Sequence, residues 1–295
     1  MNKKKLLELR ADFLLITVAI AWGVTFLIVQ DAIKTVPVYA FLFYRFLIAT
    51  VIMAIISYKF FNEINKTTIL YGIILGIFLF SGFAAQTFGL AHTKSSIIAF
   101  LTGLNVMIVP FIAYVILKQQ VRKMVFIGSI IAVIGLYLLT MSGELSLAEG
   151  EILGLICAAF FALQISFTDV YSKRVNVFML VLFQFFTVTL LSLIFSLSLD
   201  EVTFNIDFDY TFLKAVIVTS ILATVYAFLI QTYMQQFTTP TKTVIIFAIE
   251  PVSAGIFGYF AGNETLTFTQ IYGAVLIIIA ILLTQIKLKK GKIIL

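Results

Sequence analysis

From Phe13 to Gln30 the chain reads FLLITVAIAWGVTFLIVQ without one charged side chain, and runs of this kind recur along nearly its whole length. A helix of about 20 apolar residues crosses a hydrocarbon core of roughly 30 Å, and in that core only helices or closed barrels satisfy their own backbone polar groups. A barrel would alternate apolar and polar residues with period two, whereas these runs are solidly apolar. Only 12% of the 295 residues are charged, against roughly 25% in soluble domains. The fold class that follows is an all-α polytopic membrane protein.

Apolar runs bounded by charges and turn residues predict ten transmembrane helices, near 11–31, 36–61, 67–90, 95–117, 124–141, 149–170, 177–199, 210–235, 241–262 and 267–287. Pro37 and Pro240 fall at predicted helix starts, where a missing N–H costs little. The basic, then apolar N-terminus has the layout of a signal peptide, but no small-residue cleavage pattern follows, so it reads as a retained first helix.

With both termini cytoplasmic, sixteen basic residues gather on the cytoplasmic side, and only Lys34, Lys94 and Lys214 lie opposite; Arg45 is inside a span. The positive-inside rule then orients a multi-pass protein of the cell membrane. The net charge of +6 is topological. Basic residues scattered over short loops, with no aromatic platform among them, argue against nucleic-acid binding. One cysteine, Cys157, and one histidine, His92, assemble no disulfide framework or metal cluster, and no cofactor is expected. The sequence has no HExxH, GxSxG or Walker pattern, which argues against an enzyme and against ATP as the driving force.

An internal repeat changes the architecture. Residues 21–46 lie over 160–185 at an offset of 139, and at an offset of 145 Gln86, Thr87, Tyr114 and Gly128 fall on Gln231, Thr232, Tyr259 and Gly273. Two halves of five spans, 1–142 and 143–295, fit best. An odd number of spans per half makes the second half enter from the opposite side, which gives inverted-topology repeats, a transporter signature.

The stretches AWGVTFLIVQ, FYRFLIA, AHTKSSIIAFLTGLNVMIVPFIAYVIL and TTPTKTVIIFAIEPVSAGIFGYFAGNETLTFTQIYGAVLIIIAILL resemble the drug/metabolite transporter superfamily, specifically its EamA branch of ten-helix carriers. The last is the most specific, with Glu250-Pro251, a small-residue face and an Asn263-Glu264 turn. In the first half the corresponding turn reads LKQQVRK, not the Gly-Glu-Arg type common in that family. The resemblance implies export or uptake of metabolites, often amino acids, through a central cavity shared by the halves, with the fifth and tenth helices peripheral.

Two ionisable residues stand within predicted spans, Arg45 and Glu250. Each lies nine residues from its helix start, roughly 13 Å deep. A charge there costs about 2.5–3.5 kcal/mol on insertion scales, so it is expected to face a cavity or a partner. If helices two and nine are neighbours, an ion pair between them is open. Glu250 reads either as a substrate-facing, protonatable carboxylate that couples transport to protons, or as a group tying off loose backbone donors; Arg45 reads first as an anchor. Pro110 and Pro251 free the carbonyls of Val106 and Phe247, predicting helix breaks in the same member of each half, at different depths. Broken helices in corresponding positions point to a transporter's binding site.

At offset 145 Asn105 stands opposite Glu250. Trp22, Gln86, Asn105, Gln164 and Glu250 are the candidate substrate-binding residues. Gln184 is assigned to interhelical hydrogen bonding. The function read from all this is a secondary active transporter of amino acids or related small metabolites, most simply an exporter, working by alternating access on a small-molecule substrate within the lipid bilayer. A drug or organic-cation exporter, and a non-transporting receptor or scaffold, remain as alternatives.

Overall fold

A computed structural model describes residues 3–118, 123–140, 148–200, 203–262 and 267–285, and in it the apolar runs are helices. In chain order these are α1 (Lys3–Ala32), α2 (Val38–Ser57), α3 (Lys66–His92), α4 (Ser95–Gly103), α5 (Asn105–Leu117), α6 (Lys123–Thr140) and α7 (Glu149–Tyr171). There follow α8 (Val177–Leu199), α9 (Tyr210–Val218), α10 (Ala227–Met234), α11 (Pro240–Phe247), α12 (Ile249–Ala261) and α13 (Phe268–Gln285). The pairs α4–α5 and α11–α12 are single spans with a break, and a wide-turn segment, Thr219–Tyr226, joins α9 to α10. Among the described residues, eight helical stretches are long and apolar enough to cross a membrane, and Phe268–Ala280 is a shorter apolar one. The first helix begins earlier than its apolar run predicts, because its charged leading turns continue the helix. The boundary between the sequence halves at 142/143, the Asn263-Glu264 turn and the lysines from Lys287 onward lie outside the described residues.

Contacts at the helix ends define two faces of the bundle. On the first, Ala40 N–H at the start of α2 donates to Asp200 Oδ2 just past α8 (3.0 Å), and Thr93 beyond α3 donates to Glu151 in the first turn of α7 (3.4 Å). On the opposite face Asn176, before α8, donates to Glu63, beyond α2 (2.8 Å). There also Lys242, in the first turn of α11, pairs with Asp12 of α1 (2.7 Å). Hence α1 leads to the first face and α7 leads away from it, and α2 and α8 likewise run in opposite directions.

The packing follows a matching pattern. α1 lies on α12 and α10, while α7 lies on α5 and α3; α4 meets α12, while α11 meets α5. α2 packs on α8, and α6 on α13. Exchanging α1 with α7, α2 with α8, α3 with α9–α10, α4–α5 with α11–α12 and α6 with α13 carries each of these pairs onto another of the same set.

Helix starts are capped by local side chains where the sequence supplies them. Asn65 accepts from Thr68 N–H at α3, Asp209 from Phe212 N–H at α9 and Asn176 from Phe178 N–H at α8. α2 has Pro37 at its N-cap, which offers no side-chain oxygen. Asp200 fills that role from the end of α8, accepting from Ala40 N–H and from the Ser196 hydroxyl (2.8 Å). Burial pushes the Asp200 carboxyl above the ordinary carboxylate range, against the lowering pull of those two donors. The native state therefore holds the Asp200 proton more tightly than the unfolded chain does. That contribution to stability is full below the unfolded value of about 4 and is lost as pH rises through the native value. Asp200→Asn, which keeps an acceptor and cannot ionise, is expected to melt at or above wild type at pH 7 and to flatten the fall in melting temperature on going up from pH 4. Asp200→Ala, which leaves the α2 N-terminus uncapped, should lose about 1 kcal/mol at and below pH 4, where wild type keeps its full contribution, and less as pH rises. Melting curves in detergent across that range test both; a lower melting temperature for Asp200→Asn than for wild type at pH 7 contradicts the assignment.

Candidate functional site

The two breaks lie at Leu104, between α4 and α5, and at Ala248, between α11 and α12. Pro251 explains the second, because it has no N–H to offer the carbonyl of Phe247. In the first half the sequence reading is corrected: Pro110 sits inside α5, six residues past the break. There the chain tightens instead, with Leu104 N–H donating to Leu101 O (3.0 Å) and Met107 N–H to Leu104 O (2.9 Å). The breaks fall at matching depths, not at the different depths the two prolines predict. They also touch, since a Cβ on Gly103 would lie 3.2 Å from Pro251 Cγ. Asn105 opens α5 and Glu250 is the second residue of α12, so both belong to first turns, at the positive end of the half-helix dipole.

Against these half-helix starts lies a cavity lined by Trp22, Arg45, Gln86, Asn105, Gln164 and Glu250. All five candidate substrate-binding residues and Arg45 thus share one space. Phe83, Phe161, Phe228 and Phe247 supply apolar walls from both halves of the chain. About 40 Å³ is open to the centres of water-sized molecules, more than the roughly 10–15 Å³ that seats one water.

The polar residues differ in what they are bound to. Trp22 Nε1 donates to Ala223 O (2.8 Å), and its ring packs edge-on to Phe247 (4.9 Å) and tilted on Phe228 (5.3 Å). Gln86 reaches the Thr102 hydroxyl at 3.4 Å. Gln164 is tied at both ends: it donates to Thr168 (3.1 Å) and accepts from Gln231 (3.1 Å). The Asn105 amide and the Glu250 carboxylate have no hydrogen bond among the described residues. Nor does an ion pair join Arg45 to Glu250, which corrects the pairing left open by the sequence. Each is buried, Arg45 at 3% and Glu250 at 5% exposure, and both line the shared cavity. Gln184 also departs from its assignment: it is fully buried, and neither amide atom has a partner among the described residues.

The segment Thr219–Tyr226 is a π-helix that sequence reasoning missed. It contains no proline or glycine to announce it. Its hydroxyls take over backbone roles: Thr219 donates to Ala215 O (2.7 Å), Thr224 to Thr219 O (2.8 Å) and Ser220 to the carbonyl of Arg45 (2.8 Å). Short hydroxyl side chains compete with the helical ladder in this way, and π-turns recur at functional sites. The only available signal was the Thr/Ser spacing itself.

Glutamine amides tie both ends of the site. Toward the first face Gln30 of α1 donates to Leu90 O (2.9 Å) and Thr93 O (2.8 Å) at the end of α3. Toward the second, Gln235 donates to Ile165 O (3.1 Å) and Gln236 to Ser172 O, joining the end of α10 to α7. A polar cleft lies beyond each tie, one lined by Gln30, Asp31 and His92, the other by Asn62, Asn176 and Gln236. Leu90 lines both the central cavity and the first-face cleft.

The sequence profile of the EamA-like transporter family matches the chain twice, over residues 9–141 and 148–286. The chain belongs to this family. A protein of Archaeoglobus fulgidus named an uncharacterized transporter is 30% identical over 280 residues, covering 95% of this chain and 87% of its own. Another uncharacterized transporter, from Buchnera aphidicola subsp. Schizaphis graminum, is 26% identical over 293 residues, covering 91% and 92%. A solved crystal structure shares the fold at a TM-score of 0.72 with 15% identity, covering 94% of this chain and 96% of the other. This EamA-like chain is a multi-pass membrane transporter.

Proposed function

We propose that the chain is a secondary active transporter of amino acids or related small metabolites, acting as an exporter in the cell membrane by alternating access. On this reading ten spans form two inverted five-helix halves, 1–142 and 143–295, with both termini cytoplasmic. The twofold family match supports the halves, and so do the opposed courses of α1 and α7 and of α2 and α8. The described basic residues support the orientation, because Lys59, Lys66, Lys173, Arg174 and Lys242 lie toward the second face and Lys34, Lys94 and Lys214 toward the first.

One observation carries the proposal: a cavity between two broken helices, lined from both halves, holds a carboxylate and an amide that no group among the described residues bonds. A buried carboxylate in a membrane costs free energy, and a purely structural bundle would have paired it. Trp22, Gln86, Asn105, Gln164 and Glu250 are its substrate-binding residues, and the aromatic walls exclude bulk water. The glutamine ties act at opposite ends of the cavity, so release of one set with the other kept would open the site to one side only. Two similar halves exchanging conformations give both open states comparable energy, as alternating access requires. Glu250 is the proton-coupling group, taking up a proton on one side and losing it on the other.

Proteoliposomes loaded with radiolabelled amino acids, nucleosides or organic cations test the reading, each with and without a pH gradient. Gradient-stimulated movement of amino acids is expected, and Glu250→Gln should lose the stimulation while remaining folded. Movement of none of the three classes sinks the transporter assignment for these substrates, and Glu250→Gln with unchanged pH dependence removes the carboxylate from coupling.

A further inference from the structure

Arg45 is the strongest unexplained charge in the molecule. It is 3% exposed, deep in α2, and lines the central cavity across from the α12 break. Among the described residues one of its five N–H donors is used: Nε donates to Thr224 Oγ1 at 2.8 Å. That contact is fixed in direction, because the Thr224 proton is committed to Thr219 O and only lone pairs remain for arginine. The guanidinium carbon sits 4.4 Å from the centroid of Phe83 and 5.5 Å from that of Phe46. Ser220 in the same π-turn holds the Arg45 carbonyl. The turn therefore grips Arg45 at its backbone and at Nε, the ring supports one face of the planar group, and no carboxylate among the described residues pairs with it. An always-charged group held this firmly, with the outer N–H donors of its fork unbound among the described residues, is preorganised for a planar anion.

We propose that Arg45 is a substrate-specificity residue that binds a carboxylate of the transported molecule. Glu250, on the opposing half of the same cavity, then receives the ammonium group, so the site is complementary to a zwitterion, and Trp22, Phe228 and Phe247 cover its apolar part. This rests on the transporter reading above and narrows it: a site with a buried free guanidinium selects against simple organic cations.

Trp22 is the sole tryptophan and lines the same cavity, so its fluorescence reports occupancy directly in purified protein in detergent. The probes are L-leucine, L-phenylalanine and L-threonine, each with its decarboxylated amine and its deaminated acid. Wild type is expected to bind at least one amino acid roughly tenfold or more tightly than the matching amine, the range expected of hydrogen bonds between charged groups. Arg45→Gln should erase that difference while leaving amine binding in place, and Arg45→Lys, which keeps the charge and loses the fork, should reduce it. Wild type that binds an amine as tightly as its parent amino acid overturns the proposal without reference to any variant. So does an Arg45→Gln protein with undiminished preference for the amino acid. If wild type binds only the deaminated acids, and Arg45→Gln loses them, the amino-acid reading fails and the carboxylate site stands.

Discussion

Gly23→Ala is expected to abolish transport and to lower the melting temperature sharply, although it adds one methyl group. α1 crosses α12 at this residue, and an added Cβ would strike the Ser253 hydroxyl while lying 2.6 Å from Glu250 O and 2.9 Å from Ala254 N. A rotamer change can move Ser253 aside. The other two atoms are backbone of the very turn that opens α12, so relief requires α1 and α12 to part. Overpacking of this kind typically costs about 1–3 kcal/mol, and here it also shifts Glu250 and Trp22, which flank the contact on either helix. Gly255→Ala is the matched control: its Cβ would sit 3.9 Å from the Phe100 ring, in ordinary contact, and helix propensity favours alanine. It should fold and transport like wild type. Thermal melting and proteoliposome flux on the two variants decide the matter; equal behaviour would mean that α1 and α12 do not meet as described.

The second large effect runs the other way. Gln184→Met is expected to stabilise the protein. Gln184 is fully buried on α8, beside Gly72 and Gly76 of α3, and both its amide nitrogen and its amide oxygen lack partners among the described residues. A buried polar group left unbonded costs about 1–3 kcal/mol, and methionine fills a similar length with no polar atoms to satisfy. A melting temperature several degrees above wild type is the anticipated outcome. A drop would show that the amide is bonded in the protein as it exists in a bilayer.

These two residues also show where sequence reading stopped. Gly23 follows the only tryptophan in the sequence, but its crossing partner was not legible there, since crossing depends on how distant helices pack. Gln184 read as an interhelical hydrogen-bonding residue because a polar group in an apolar span needs a partner, and local pattern cannot tell whether packing supplies one. The break before Glu250 was legible through Pro251. Its counterpart was not, because the chain at Leu104 tightens without proline, and Pro110 is accommodated inside α5. The π-turn that seats Arg45 left no mark except hydroxyls.

What the sequence settled by itself is the solvent and the secondary structure. Uncharged runs of bilayer length admit only helices, because an unsatisfied backbone group in hydrocarbon is too costly for any open alternative, and the same expense set Arg45 and Glu250 apart as groups expected to face a cavity or a partner. Tertiary structure alone decided that those two charges line one cavity without an ion pair among the described residues, that the two breaks touch, and that glutamines tie the ends. Such facts depend on the rotation and approach of helices remote in the chain, which are fixed by packing across the bundle and not by any neighbour in sequence.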